Sequence, residues 1–217
     1  MVSFDERRRV MVDTQVRPSD VTRFPVIEAM LAVPRERFVP ESAREAAYAG
    51  ENVSLGDGRV VLEPRTIAKI LDAVNIQPTE AVLDVGCGLG YSTALAAQLA
   101  EAVVGLEANR SMARDAEQTL SDEGVDNAVV VEGELAAGMA AHGPYDVILV
   151  QGGVEQVPQA FTEQLNDGGR IACIFMDGAL GVVRLGLKAD GAITWRFSFN
   201  AAAPVLEGFT AERAFSL

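Results

Sequence analysis

The chain has 217 residues, 49% of them hydrophobic and 23% charged, with a formal net charge of −13. That length fills one α/β domain well but not two, and the apolar content excludes a disordered chain. No apolar run approaches the roughly 20 residues that cross a bilayer, and so acidic a surface repels phosphate backbones, which argues against membrane and nucleic-acid partners.

Residues 4–16 read as a first helix, with Phe4, Met11 and Val12 as apolar contacts and Arg17-Pro18 as its close. Arg7-Arg8-Arg9 could bind an anion but reads first as a solvated face of that helix. The charged start lacks the apolar centre of a signal peptide, so the expected compartment is the cytoplasm. Pro25 opens a second helix that runs through Leu31 and stops before Pro34. A short helix near 41–47 and a glycine turn at Asp57-Gly58 come next. Pro64 then opens a third helix, in which Ile67, Ile70, Leu71 and Val74 recur at i, i+3, i+4 and i+7.

From residue 79 short β-branched runs alternate with helical stretches. The runs are 81–85, 102–107, 128–132, 146–150 and 170–175, with helices at about 91–100, 109–123 and 158–165. Strands apolar on both faces, alternating with helices, imply a parallel sheet covered on both sides. Val182–Leu187 and Ile193–Phe199 flank Asp190-Gly191, a hairpin signal. The expected fold is α/β, a Rossmann-like class I methyltransferase fold with a mainly parallel seven-stranded sheet and a C-terminal antiparallel hairpin. Residues 1–78 form a helical region packed on an α/β core at 79–217, one structural domain overall. The acidity is concentrated in that core: residues 1–80 carry 11 basic and 13 acidic side chains, the rest 7 and 18.

The chemistry sits where the first core strand meets its helix, in Asp84-Val85-Gly86-Cys87-Gly88-Leu89-Gly90. Glycines here let the backbone approach a ligand closely and adopt conformations that a Cβ forbids. A dinucleotide fingerprint needs a third small residue at position 91, which is the bulky Tyr91. The spacing instead fits S-adenosylmethionine, with S-adenosylhomocysteine as product; its sulfonium and ammonium groups favour nearby carboxylates. Glu107 closes the second strand 17 residues after Gly90 and can accept both ribose hydroxyls. Gly133, Glu134 and Leu135 follow the third strand, where adenine would lie. The predicted cofactor residues are Asp84, Gly86, Cys87, Gly88, Gly90, Glu107, Ala108, Gly133, Glu134, Leu135 and Gln151, with no metal site.

With these residues in view, the chain resembles the protein-L-isoaspartate O-methyltransferases from about residue 7 to 176. The family's N-terminal signature is similar to Val26-Ile27-Glu28-Ala29-Met30-Leu31-Ala32-Val33-Pro34-Arg35-Glu36-Arg37-Phe38-Val39-Pro40, followed by Ala47-Tyr48-Ala49. Pro144–Val150 and Gln164–Arg170 match further stretches, which are shared more widely among methyltransferases. The resemblance implies methylation of an isoaspartyl carboxylate in damaged proteins, the first step of repair. It also implies a serine hydroxyl before the third helix, where this chain has Val60-Val61-Leu62-Glu63-Pro64. Leu62 offers no hydrogen bond there, and Glu63 brings a negative charge that Arg65 can offset; Leu62, Glu63 and Arg65 are the substrate-side candidates. After the fourth strand the family favours Thr-Ala-Ala-Ala, against Gln151-Gly152-Gly153-Val154 here.

Cys87 and Cys173 are too few and too poorly placed for a disulfide framework, and both read as reduced thiols. His142 falls in a loop, and Met139, Met176 and Trp195 are packing residues. Three functions compete: isoaspartyl methylation, methylation of another acceptor, and cofactor binding without turnover. The partner is a protein or peptide substrate, or a small molecule; the sequence leaves the acceptor and the oligomeric state open.

Overall fold

The computed structural model describes residues 2–211. Helix α1 (Phe4–Met11) starts on Ser3, whose hydroxyl accepts the Glu6 amide at 3.2 Å. The predicted helix continues to Val16, but its last part, Val12–Val16, widens to a π-helix before a 3₁₀ turn at Arg17–Ser19. Helix α2 (Phe24–Ala32) has Pro25 in its first turn. The short helix expected at 41–47 is a 3₁₀ helix, Glu41–Ala46.

The Asp57-Gly58 turn proves to be the tip of a hairpin that the sequence did not reveal. It joins β1 (Val53–Gly56) to β2 (Arg59–Val61), and both tip residues have positive φ, 50° and 70°. Two such residues match the right-handed twist of the flanking strands. These strands form a sheet of their own, separate from the main one.

Helix α3 (Pro64–Val74) buries Ile67, Ile70, Leu71 and Val74, the predicted stripe, and ends on Asn75 in the left-handed conformation. Burial of each such side chain is worth about 1.5–3 kcal/mol. The stripe is covered by the main sheet: β3 (Ala81–Val85), β4 (Ala102–Glu107), β5 (Ala128–Glu132), β6 (Tyr145–Val154), β7 (Leu165–Asp177), β8 (Leu180–Ala189) and β9 (Ala192–Asn200). Their order is β5-β4-β3-β6-β7-β8-β9, parallel through β7 and antiparallel from β7 to β9. Helices α4 (Tyr91–Ala97), α5 (Arg110–Asp122) and α6 (Gln159–Gln164) are each shorter than the predicted ranges. Strands β6 and β7 are longer, and Gln151–Val154 belong to β6 rather than to a loop.

Alternate residues of one strand face opposite sides of a sheet. In β3, Val82 joins α2, α3 and α4 in one core, while Leu83 and Val85 join Phe161, Cys173 and Phe209 in the other. The chain leaves β3 toward β4 and β5, then crosses back to place β6 on the other side of β3. Ligands of open α/β sheets bind outside the carboxyl ends of the strands at such a reversal.

Candidate functional site

The loop between β3 and α4 uses glycine where geometry demands it. Gly86, Gly88 and Gly90 have φ of 74°, 59° and 93°, a region that a Cβ makes costly. The Gly86 and Cys87 amides donate to the Leu106 carbonyl at 2.7 and 3.2 Å, which folds the loop against the end of β4. A Cβ on Gly90 would stand 3.3 Å from that of Ala116, so this glycine lets the loop pack on α5.

Asp84 lies beneath the loop, fully buried. Its carboxylate accepts from Ser92 Oγ at 2.6 Å, Thr93 Oγ1 at 2.7 Å and Gln151 Nε2 at 2.7 Å. Burial raises the Asp84 pKa, and these three bonds oppose the rise. Gln151 reaches Asp84 from a bulge: Leu149 pairs with Ala172 but Gly153 with Ile174, so β6 carries two extra residues here. Bulges re-aim side chains at strand ends. Asp84 and Gln151 therefore engage each other behind the loop, and the Asp84 oxygens point into protein.

Glu107 is also fully buried, at the end of β4. Its Oε2 accepts from Arg59 Nη2 at 2.8 Å and the Gly88 amide at 2.8 Å; its Oε1 accepts from the Asn109 amide at 3.1 Å and Arg59 Nε at 3.4 Å. The same Arg59 Nη2 donates to the Gly86 carbonyl. Burial opposes the charge on Glu107, but hydrogen bonding and Coulomb attraction from Arg59, together with the two amides, outweigh it and hold the pKa below the usual carboxylate value. Asn109 also caps α5, its Oδ1 accepting the Ser111 and Met112 amides.

Outward from Glu107 an open cavity of ≈ 590 Å³ is lined by Ala108, Glu132, Gly133, Glu134, Leu135, Glu207 and Gly208. Inward, between the hairpin and the loop, a crevice of only ≈ 10 Å³ touches Val60, Val61, Leu62, Ile67, Cys87, Tyr91, Ser92 and Gln151. Leu62 is thus brought beside Cys87 and Gln151. Glu63 instead turns to its own helix, accepting from Thr66 Oγ1 at 2.6 Å, with Arg65 Nη1 at 3.8 Å and the Arg65 guanidinium over the Phe199 ring. Burial, and then the charges of Asp84 and Glu107, push the Cys87 thiol well above its ordinary pKa, so it stays protonated.

The chain matches the family described as protein-L-isoaspartate(D-aspartate) O-methyltransferase (PCMT) over residues 7–191. The chain belongs to this family. It is 36% identical over 171 residues to the protein-L-isoaspartate O-methyltransferase of Syntrophus aciditrophicus (strain SB), covering 79% of this chain and 78% of that one. The relative from Roseiflexus sp. (strain RS-1) is 32% identical over 216 residues, 98% of each chain. Among solved structures, a protein-L-isoaspartate O-methyltransferase superposes with a TM-score of 0.79 at 23% identity, over 95% of this chain and 66% of that longer one. A putative one from Plasmodium falciparum, solved with S-adenosyl-L-homocysteine, gives 0.78 at 18% identity, over 93% and 98%. At these identities the structures establish the shared fold.

Around this candidate site the sequence reading missed Arg59, Ser92, Thr93, Glu207 and Gly208, which the structure places beside the predicted residues. A fully buried carboxylate needs a cation or several donors, so a buried Glu107 demands a partner. No local signal marks which one, because Arg59 lies 48 residues away. His142 is exposed in a 3₁₀ turn, and Trp195 meets Phe175 edge-on at 4.9 Å in sheet packing. Both cysteines are free and buried.

Proposed function

We propose that the chain is an S-adenosylmethionine-dependent methyltransferase of the protein-L-isoaspartate type, acting on a carboxylate of damaged proteins in the cytoplasm. The observation that carries this reading is the family match over residues 7–191. The acceptor set at the sheet edge supports the cofactor. The Gly86 carbonyl and the Glu107 carboxylate are both turned toward a positively charged hydrogen-bond donor, here the guanidinium of Arg59. An ammonium group is such a cationic donor and ribose hydroxyls are neutral donors to the same kind of acceptor, so the residues fit the cofactor.

When bound, the cofactor supplies an electrophilic methyl group. Glu107 and the Gly86 carbonyl would hold its polar groups, and Ala108, Gly133, Glu134 and Leu135 would line the adenine end. Asp84 and Gln151 act from behind, fixing the loop through Ser92 and Thr93. An isoaspartyl carboxylate is ionised at neutral pH, since carboxyl groups in peptides titrate near about pH 4. The chain therefore needs no strong base, and its task is to position one oxygen. Leu62 and the crevice beside it stand on the substrate side. The region 1–78, helices with the β1–β2 hairpin, and the described part of the core 79–217 make one structural domain in this reading, which a core shared by Val26, Ile67, Val82 and Leu149 supports; residues 212–217 lie outside the described residues. Among the described residues, no helix is long and apolar enough to cross a membrane.

The test is transfer of labelled methyl from S-adenosylmethionine to an isoaspartyl peptide, with the matching aspartyl peptide as control. Base-labile methyl ester on the isoaspartyl peptide alone is the expected result. No ester under conditions where an active relative forms it would sink the reading.

A further inference from the structure

The Arg59–Glu107 pair stands in the same place as the proposed cofactor contacts. A carboxylate has about four acceptor positions, and Glu107 already receives four donors: two from Arg59 and the amides of Gly88 and Asn109. The Gly86 carbonyl is taken by the same guanidinium. A Cβ built on Gly86 would fall 2.7 Å from Arg59 Nη2, so the guanidinium fills the close approach that glycine opens. One side chain thus holds both the Gly86 carbonyl of the loop and the Glu107 carboxylate of β4.

The rest of the hairpin closes the same space. A Cβ on Gly88 would fall 2.5 Å from Leu55 Cδ1, so β1 packs on the loop as β2 does. Between hairpin and loop only ≈ 10 Å³ remains, about the space of one water probe. On the outer side of Glu107 the cavity is ≈ 590 Å³. A ligand seated in the outer cavity therefore cannot extend along the glycine loop while Arg59 stays in place.

The hairpin stands apart from the main sheet. It is a separate two-stranded sheet, and such hairpins are marginal by themselves. Its tip residue Asp57 makes one long contact, with Asn109 Nδ2 at 3.5 Å, so near the tip Arg59 carries the anchorage. Its base is firmer, since Asn52 holds the Ala202 carbonyl and the Glu63 amide at 3.1 and 2.8 Å.

We propose that Arg59 is an internal occupant of the cofactor cleft, which must leave Glu107 and the Gly86 carbonyl before S-adenosylmethionine engages the loop. The inference rests on the cofactor reading above. It makes Arg59 a determinant of cofactor affinity through competition: each ligand contact to Glu107 replaces one already made, so the gain on binding is small. Arg59→Gln keeps a polar side chain but withdraws the charge and the reach of the fork.

The experiment titrates S-adenosylhomocysteine calorimetrically into the intact protein and into Arg59→Gln, and determines the structure of the unaltered protein with that ligand. The variant is expected to bind at least tenfold more tightly, and the ligand-bound structure to show Arg59 out of hydrogen-bond reach of Glu107. Equal or weaker binding by a folded variant overturns the proposal while leaving the cofactor reading intact. Should the variant not fold, the ligand-bound structure decides alone, and an Arg59–Glu107 pair that persists in it overturns the proposal. Binding by neither protein removes the cofactor reading and the proposal together.

Discussion

The side chain of Leu206 stands 2.5 Å from where a Cβ on Gly152 would be, so Gly152 and Leu206 share one space. Beside them the Gly153 amide donates to the Pro204 carbonyl at 2.8 Å, and the Leu206 amide donates to the Gly153 carbonyl at 2.9 Å. The segment after β9 is thereby stitched across the end of β6, and carries Glu207 and Gly208 to the rim of the large cavity. Gly152→Ala should cost about 1–3 kcal/mol, the usual penalty for overpacking. Urea denaturation measures this, and faster proteolysis between residues 201 and 209 should accompany it.

Asp84 holds Ser92, Thr93 and Gln151 at one buried point. Asp84→Ala leaves three buried donors without their acceptor, at about 1–3 kcal/mol for each group that finds no other. The predicted outcome is a loss of about 3 kcal/mol or more in unfolding free energy. Asp84→Asn, which retains one acceptor, should lose less. Equal losses would show that the lost carboxylate contacts, and not the cavity that alanine leaves, dominate.

Glu107 gives stability a defined pH dependence. Its folded pKa is depressed, against about 4.3 in the unfolded chain. Its contribution is therefore present above that unfolded value and lost as pH falls through the folded one. Asp84 acts in the opposite sense, since its pKa is raised and protonation favours the folded state. Comparing Glu107→Gln with the unaltered protein isolates the Glu107 share. Breaking a buried pair costs about 3–5 kcal/mol, so the variant should be less stable by that order at pH 7. The gap should begin to narrow below about pH 4 and close as pH falls through the depressed folded pKa, as read from denaturant melts at pH 7 and in acid.

Leu62 is 2% exposed and lines the crevice with Cys87 and Gln151. Leu62→Ser places a hydroxyl where the family resemblance expects one. A hydrogen bond to a charged group is worth about 1.5–3 kcal/mol, so kcat/KM on an isoaspartyl peptide should rise by about tenfold or more. The loss of buried apolar volume should lower stability by about 2–5 kcal/mol. Initial rates and melting curves test the two together; an unchanged rate would put acceptor recognition elsewhere.

Much of the fold was legible because it rests on local pattern. The α3 stripe, the five parallel strands and the Asp190-Gly191 hairpin all follow from spacing within short windows. Glycines 86, 88 and 90 announced their loop because positive φ is a local demand that glycine meets. The β1–β2 hairpin escaped notice because strands of four and three residues carry too little alternation to register. The length of β6 escaped too, because Gln151-Gly152-Gly153 reads as a turn until Leu206 is seen to fill the space above it.

The sequence alone thus determined the α/β class, the glycine loop, the row of acids at the strand ends and the family. These are carried by residue type at short range. Only the tertiary structure decided what each acid does. Asp84 faces inward to Ser92, Thr93 and Gln151, Glu107 is held by Arg59, and Glu134 lines the open cavity. The physical reason is that a carboxylate's role depends on which donors surround it once it is buried. For Asp84 and Glu107, Gln151 and Arg59 arrive from 67 and 48 residues away.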